Sequence, residues 1–383
     1  MKILIVSSFL IFPETRFGGS KRIYNIAKSL EEEHDISVIC FDGSKEKHQW
    51  NATTRFKKFL FLDLVTPDNI YRKLTHHMDM NNVMNQNRNH LDAFFCDAYF
   101  DCVILAYSLA PNLLRIPAVL NCGRIIYIEG DLVIARADLQ RGNQTVLIKK
   151  ILKKIRYLQV LRYYTWFLSK VHLFFLSTNT EIFEINKRFP KVKTMQLPIG
   201  LDLTNINLLP LPENMVTAGF IGNYEHEPNF DAIKWYLEYI HPKLLSAHPD
   251  YQFVIAGMNI PNELIELAAK DSRLIIMGAL ENLEFFYKHI SFVVSPIVSG
   301  KGVRTKVIEA AAYGRAIVST RLGADGTEPI ELLIGDTPED FFACCIRLIT
   351  TNSNLKTILT ENRKVVENYF SNSAIKNLLL KSF

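Results

Sequence analysis

Apolar positions along the chain gather into short runs of strand length, separated by stretches in which they recur every three or four residues. Ile3 to Val6, Ile36 to Phe41, Cys102 to Ala106, Arg124 to Ile128 and Leu173 to Ser177 read as a first set of strands. Thr217 to Ile221, Gln252 to Ala256, Arg273 to Met277, Phe292 to Ser295 and Ala316 to Ser319 read as a second. Runs without polar alternation belong to strands covered on both faces, and strands that alternate with helices predict doubly wound parallel sheets. Helical periodicity is expected from Lys21 to Glu33, from about Glu181, around Pro228-Asn229, from Val303 to Tyr313, and over 338–350 and 354–368, with a short final helix. Between the two sets, KTMQLPIGLDLTNINLLPLPEN has the Pro and Gly content of a linker, which places a domain boundary near residue 200. Residues 44–92 are polar, basic and rich in Asn and His, and predict helical excursions with FKKFLFLDLV as the one amphipathic piece. His76 and His77 are adjacent, so they project in different directions and do not suggest a metal pair.

The stretch SPIVSGKGVRTKVIEAAAYGRAIVST, residues 295–320, organises the second half. A strand ends, a loop carries Gly300 and Gly302, a helix follows, and Gly314 stands where a left-handed helix stop belongs. Strand, glycine loop and helix make an anion cradle, because backbone N–H groups and the helix dipole converge on whatever occupies the loop. Arg304 and Lys306 stand in the first helical turn, the wrong end for a cation unless an anion binds between them. Glu309 lies nearly two turns in, facing ligand or solvent.

Composition then narrows the class. At 383 residues, 48% hydrophobic and 22% charged, the chain has room for two core-forming domains and is not a disordered one. The net charge of +5 divides unevenly: residues 1–200 hold 28 basic against 18 acidic side chains, and residues 201–383 hold 16 against 21. The first half therefore prefers an anionic partner. The six cysteines show no CxxC spacing, as expected of buried, reduced thiols in a cytosolic protein. MKILIVSSFLIF has one lysine and no small-residue cleavage site, so it reads as a buried first strand rather than a leader.

Two segments of the first half carry candidate chemistry. After Ile128 comes Glu129-Gly130-Asp131 and then Arg136, acidic groups at the carboxyl end of a parallel strand, where α/β proteins keep their sites. A plain helix cap by Asp131 is the alternative. Residues 146–176 contain seven Lys or Arg and no acid. Lys149, Lys150, Lys153, Lys154 and Arg156 cluster there, with Ile151, Leu152, Ile155 and Leu158 at helical intervals. This pattern suits an anionic membrane surface, or a helix that packs its apolar side and solvates its lysines. No nucleic-acid module accompanies the charge, so nucleic acid is not an expected partner.

Several of these stretches resemble nucleotide-sugar glycosyltransferases of the GT-B fold, in the large retaining family usually numbered four. FIGNYEHEPNFDAIKW is similar to that family's Phe-x-Gly and Pro-Asn-x-x-Ala pattern, VIAG and IIMGALENL to its next strand ends, GKGVRTKVIEAAAYGRAIVST to its donor-site signature, and LPIGLDL to its hinge. The likeness covers nearly all of the second half, but in the first only the Gly18-Gly19 loop, the Asp131 to Arg136 spacing and the hinge.

The resemblance implies an α/β architecture of two Rossmann-like doubly wound domains facing a central cleft. An acceptor-side domain would span 1–200, a donor domain 201–360, and C-terminal helices 361–383 would pack back on the first. It implies that Glu309 accepts the ribose hydroxyls and that Gly222 and Asn223 border the diphosphate. Gly278 and Leu280 would flank the base, and Gly302 and Val303 would offer backbone N–H groups. Arg304 and Lys306 would neutralise the leaving diphosphate. Gly19 would border the donor phosphate from the first domain, and Gly18 would stand on the acceptor side. Asp131 would lie beside the acceptor hydroxyl, with Glu129 and Arg136 near it.

Three departures stand out. Lys301 occupies the place of the family's earlier glutamate, Ile199 that of the hinge asparagine, and the Arg and Lys that often follow the Gly222 strand are missing. The lack of any Asp-x-Asp agrees with a metal-independent transferase that needs no cofactor beyond its donor. The resemblance thus implies transfer from a nucleotide-diphosphate sugar to a hydroxyl of a lipid-linked or cell-surface glycan, in polysaccharide biosynthesis. The enzyme would be cytoplasmic and peripheral at the inner face of an anionic membrane. A nucleotide-sugar epimerase of the same fold, or a binding protein that has lost catalysis, are the alternatives.

Overall fold

The computed structural model describes residues 1–11, 18–42, 56–63, 81–129, 147–350 and 354–383. They divide into two units: Met1–Leu197 with Ile375–Phe383, and Pro198–Ala374. Each unit is built on one parallel sheet covered on both faces, as the unbroken apolar runs require.

The first sheet has seven strands: β1 (Lys2–Ser7), β2 (Asp35–Asp42), β3 (Lys58–Asp63), β4 (Cys102–Ala106), β5 (Arg124–Ile128), β6 (Leu173–Leu176) and β7 (Thr194–Gln196). Their order is β3-β2-β1-β4-β5-β6-β7, and every pairing is parallel. The second sheet has six: β8 (Thr217–Asn223), β9 (Gln252–Met258), β10 (Leu274–Gly278), β11 (Phe292–Ser295), β12 (Ala316–Ser319) and β13 (Leu333–Ile334). Its order, β10-β9-β8-β11-β12-β13, repeats the same winding. In each sheet the winding reverses beside the first strand, between β1 and β4 and between β8 and β11. The crevice at such a reversal, outside the carboxyl ends of the strands, is where open α/β sheets bind ligands.

The helices used below are α1 (Gly18–Glu31), α2 (Leu147–Leu168), α3 (Asn179–Arg188), α4 (Glu227–Tyr239), α5 (Leu283–His289), α6 (Thr305–Ala312) and α7 (Asn372–Leu380). Helix α3 starts two residues before Glu181 because Thr178 and Glu181 form a reciprocal capping box. Helix α7 lies in the second half of the sequence, but Ile375 and Leu379 are buried in the core of the first unit with Ile3, Ile5 and Val38. Lys376 pairs there with Glu32 and Glu33, both at 2.8 Å.

One expectation needs correction. FKKFLFLDLV is not a helical excursion: Lys58–Asp63 is strand β3, in register with β2. Phe59 and Phe61 alternate on one face, with ring centroids 4.5 Å apart, while Leu62 is buried on the other. A period of two beats the helical reading once a neighbouring strand supplies hydrogen bonds. Within the basic segment at 146–176, helix and strand fall where the apolar pattern separates them. Helix α2 ends at Leu168, and Leu173–Leu176 is the buried strand β6. His76 and His77 lie outside the described residues, and all six cysteines are free.

His241, at the head of a helix over His241–Ala247, illustrates how burial sets chemistry in this fold. It is buried against Tyr251 and Phe253, with both ring centroids at 5.7 Å. Burial holds its pKa down at about 4 from an ordinary 6.5. Between those values the unfolded chain binds a proton that the folded chain does not, so stability present above about pH 6.5 is lost as pH falls toward 4. Denaturant melts across that range should show a steeper acid loss in the wild type than in His241→Gln. Parallel profiles would refute the assignment.

Candidate functional site

The loops after β8 and β11 meet at the reversal point of the second sheet, and side chains of α4 tie them together. Strand β8 ends in Gly222-Asn223. A Cβ at Gly222 would sit 2.9 Å from the Asn229 side-chain nitrogen, so glycine is what lets Asn229 fold back over the strand end. The Asn229 amide nitrogen donates to Asn223 O at 2.9 Å, and its oxygen accepts from Lys306 Nζ at 2.9 Å. Ser299 donates to Asp231 Oδ2 at 2.7 Å. Gly300, at φ +89°, packs so close to Pro228 that a Cβ would lie 2.6 Å from its ring. Asn229, Asp231 and Pro228 were not singled out individually from the sequence; the Pro-Asn-x-x-Ala pattern was the available signal.

Gly302, at φ +88°, turns the chain a second time before α6. The backbone N–H groups of Gly302 and Val303 make no hydrogen bond to the described residues, and no side chain caps α6. The result is a helix N-terminus with donors to spare, the arrangement that binds phosphate. Arg304 caps the corner instead of leading the helix. Its guanidinium donates to Lys301 O at 3.1 Å and Ser299 O at 3.3 Å, so it braces the loop. Burial lowers its pKa from the usual arginine value. Lys306 is buried beneath the loop, its Nζ 3.6 Å from the centre of the Phe220 ring. Burial first, and Arg304 second, drive its pKa well below that of an ordinary lysine.

Glu309 stays partly exposed, and Tyr287 of α5 donates to its Oε2 at 3.2 Å. Tyr287 is itself buried and stacked on Tyr313 at 4.5 Å, and burial, then Glu309, push its pKa up. This positioning tyrosine was invisible in the sequence, because nothing in LEFFYKH says where a hydroxyl finds its partner. Gly278, at φ +71°, and Leu280 lie at the carboxyl end of β10, on the same sheet edge.

In the first unit, Gly18 and Gly19 open α1 at the carboxyl edge of the sheet. Glu129 follows β5 and is buried, not presented outward. Its Oε2 accepts from Tyr127 at 2.5 Å and from Tyr164 at 3.0 Å. Burial, then Glu129, raise both phenol pKa values well above normal. Gly130, Asp131 and Arg136 lie outside the described residues. Sequence reasoning missed two neighbours of this edge. Buried Arg22 donates to Ser177 Oγ at 2.9 Å and to Leu197 O at 2.7 Å. Tyr107, at the end of β4, holds a left-handed φ of +67° that non-glycine residues adopt at a cost of about 1–2 kcal/mol. Among the described residues no group of three or more His, Cys, Asp or Glu could hold a metal ion.

Comparison with known proteins agrees with this geometry. The fold is that of two-domain GT-B glycosyltransferases. Sucrose-phosphate synthase from Thermosynechococcus elongatus superposes over 100% of this chain and 98% of its own, with a TM-score of 0.71 at 12% identity. Anabaena HepE, solved in complex with UDP and glucose, covers 100% of this chain and 99% of its own, with a TM-score of 0.65 at 11% identity. Residues 216–351, within the second unit, match the model of the family Glycosyl transferases group 1. An uncharacterized 44.6 kDa protein in the cps region of Klebsiella pneumoniae is 30% identical over 134 residues. The match takes in 33% of this chain, and the chain spans about a third (32%) of that relative's length.

The Asn229 bridge makes a stability prediction. Replacing Asn229 by Ala strips the Lys306 amine and the Asn223 carbonyl of their partner, at a cost of about 1–3 kcal/mol. Urea unfolding should show the midpoint falling accordingly; an unchanged midpoint would mean that the bridge holds nothing.

Proposed function

We propose that the chain is a retaining, metal-independent glycosyltransferase that moves a sugar from a nucleotide-diphosphate donor to a hydroxyl of a cell-surface or lipid-linked glycan. The observation that carries the reading is the uncapped start of α6. Two spare backbone donors, at Gly302 and Val303, lead into the helix that carries the buried Lys306, at the reversal point of the sheet. A diphosphate would match the N–H groups, and the ribose hydroxyls would donate to Glu309, which Tyr287 holds in place. Bound UDP in the similarly folded HepE supports a uridine nucleotide as the first donor to try.

In the transfer, the bond between the sugar's anomeric carbon and the diphosphate oxygen breaks, and its electron pair leaves with the phosphate. The acceptor oxygen bonds to the same face of the carbon and passes its proton to the departing phosphate oxygen. The chain's part is to hold the diphosphate on preorganised donors, so that the developing charge meets them without rearrangement.

The acceptor side rests on charge and exposure. Six cations and no acid lie in α2. Its C-terminal half buries Val160, Tyr163, Tyr164 and Phe167, whereas Ile151, Leu152, Ile155 and Leu158 are exposed on a different face. That exposed face supports docking at an anionic membrane, where a lipid-linked acceptor would be met. No helix of the described residues is long and apolar enough to cross a membrane.

Thermal shift against UDP-, GDP- and dTDP-sugars should identify one stabilising donor, since ligand that binds only the folded state raises its stability. With that donor, Glu309→Ala should lose about tenfold to a hundredfold in kcat/KM, the worth of a hydrogen bond to a charged group. Undiminished transfer would reject the site. Product formed from donor alone would point to an epimerase instead. Vesicle flotation should carry the protein up with anionic lipid, and Ile155→Glu should release it. Equal flotation of the two would discard the membrane role of α2.

A further inference from the structure

We propose that Lys306 is an uncharged amine while the donor pocket is empty and takes up one proton from solvent when a diphosphate enters. The inference rests on the donor-site reading above and adds a proton to the binding reaction. Its basis is what surrounds Nζ. The residue is 7% exposed, and among the described residues its single hydrogen-bond acceptor is the neutral Asn229 amide at 2.9 Å. An ammonium has three donors, so one acceptor leaves it under-satisfied in a dry site. No carboxylate oxygen lies within 4.0 Å of Nζ among the described residues.

The charged and titratable neighbours pull in opposite directions. From its own element, Arg304 opposes a second positive charge and Glu309 favours one. From α5, Tyr287 presents a neutral phenol, whose oxygen is 3.5 Å from Lys306 O and which donates to Glu309. From β8 comes only the Phe220 ring, whose face attracts a cation, and from α4 the uncharged Asn229. Asp231 of α4 is bonded to Ser299. The ring attracts a desolvated cation, but only modestly. Burying an unpaired ammonium costs more than that, so the amine form prevails. Burial, the foremost cause, acts in the same direction on the residue's pKa.

A diphosphate would reverse the balance, because it brings two negative charges to the loop above the amine. The amine then binds a proton, R–NH2 + H⁺ → R–NH3⁺, and the site acquires a positive charge only when there is an anion to meet it. The same proton stays on Lys306 while the sugar leaves and is given back to solvent when the nucleotide departs.

The linkage has a definite sign. The complex holds one more proton than the free partners, so affinity must weaken as pH rises, by about tenfold per pH unit for one proton taken up. The test is titration calorimetry of UDP-glucose at a fixed, near-neutral pH in buffers of different ionisation enthalpy. UDP-glucose lacks a terminal phosphate that would titrate in this range. The expected result is uptake approaching one proton by the wild type, with Kd rising tenfold per unit toward alkaline pH. Lys306→Arg, which keeps a permanent charge, should still bind and melt as a folded protein, but with no uptake and a flat profile. Binding without uptake would overturn the proposal and leave the donor site standing. The same uptake in Lys306→Arg would assign the proton elsewhere and overturn it too. If UDP-glucose, GDP-glucose and dTDP-glucose all fail to bind, the donor-site reading itself falls, and the proton with it.

Discussion

A buried lysine with no carboxylate of the described residues in contact is the constraint on which the second unit's site depends. Lys306 lies under the glycine loop because Phe220 offers it a ring and Asn229 an oxygen. Asn229 reaches that place because residue 222 has no side chain to block it. The same asparagine fixes the end of β8 through Asn223 O, so one carboxamide sets the spacing between the two loops. Arg304 contributes from the other side by spending its guanidinium on loop carbonyls. What remains open is the pair of N–H groups at Gly302 and Val303 before α6, for which the described residues supply no partner.

The first unit repeats the winding but not the chemistry. Its reversal point is lined by a buried arginine, a left-handed tyrosine and a glutamate held inward by two phenols. Tyr127 and Tyr164 both donate to Glu129 Oε2, which ties the three groups into one buried network. Its position at the carboxyl edge of the sheet suits support of a neighbouring group better than direct attack on a substrate. The uneven division of charge along the sequence agrees with the two units meeting different partners.

Much of this was legible in the amino-acid order, and the reasons for what was not are physical. Strands β11 and β12 fall at the residues expected, because unbroken apolar runs bounded by Ser, Pro and Gly leave little choice. The helix stop at Gly314 has the left-handed φ, +72°, that its place required. Strand β3 was missed because two lysines and three phenylalanines within six residues fit a helix face as well as an edge strand. The loop glycines and Glu309 stood out, since backbone freedom and charge are written locally. The charge of Arg304 was legible too, but not the loop carbonyls to which its guanidinium donates. Tyr287, Tyr164 and Asn229 were hidden because their partners lie 22, 35 and 77 positions away. Periodicity reports which face is buried, never which hydroxyl finds which carboxylate.

What occupies the start of α6 decides the chemistry of the second unit. A crystal structure of the chain soaked with UDP addresses it directly. The expected density places the diphosphate against the backbone N–H groups of Gly302 and Val303 and the ribose hydroxyls on Glu309. Diphosphate density bound elsewhere on the chain, or an empty loop at saturating nucleotide, would contradict it.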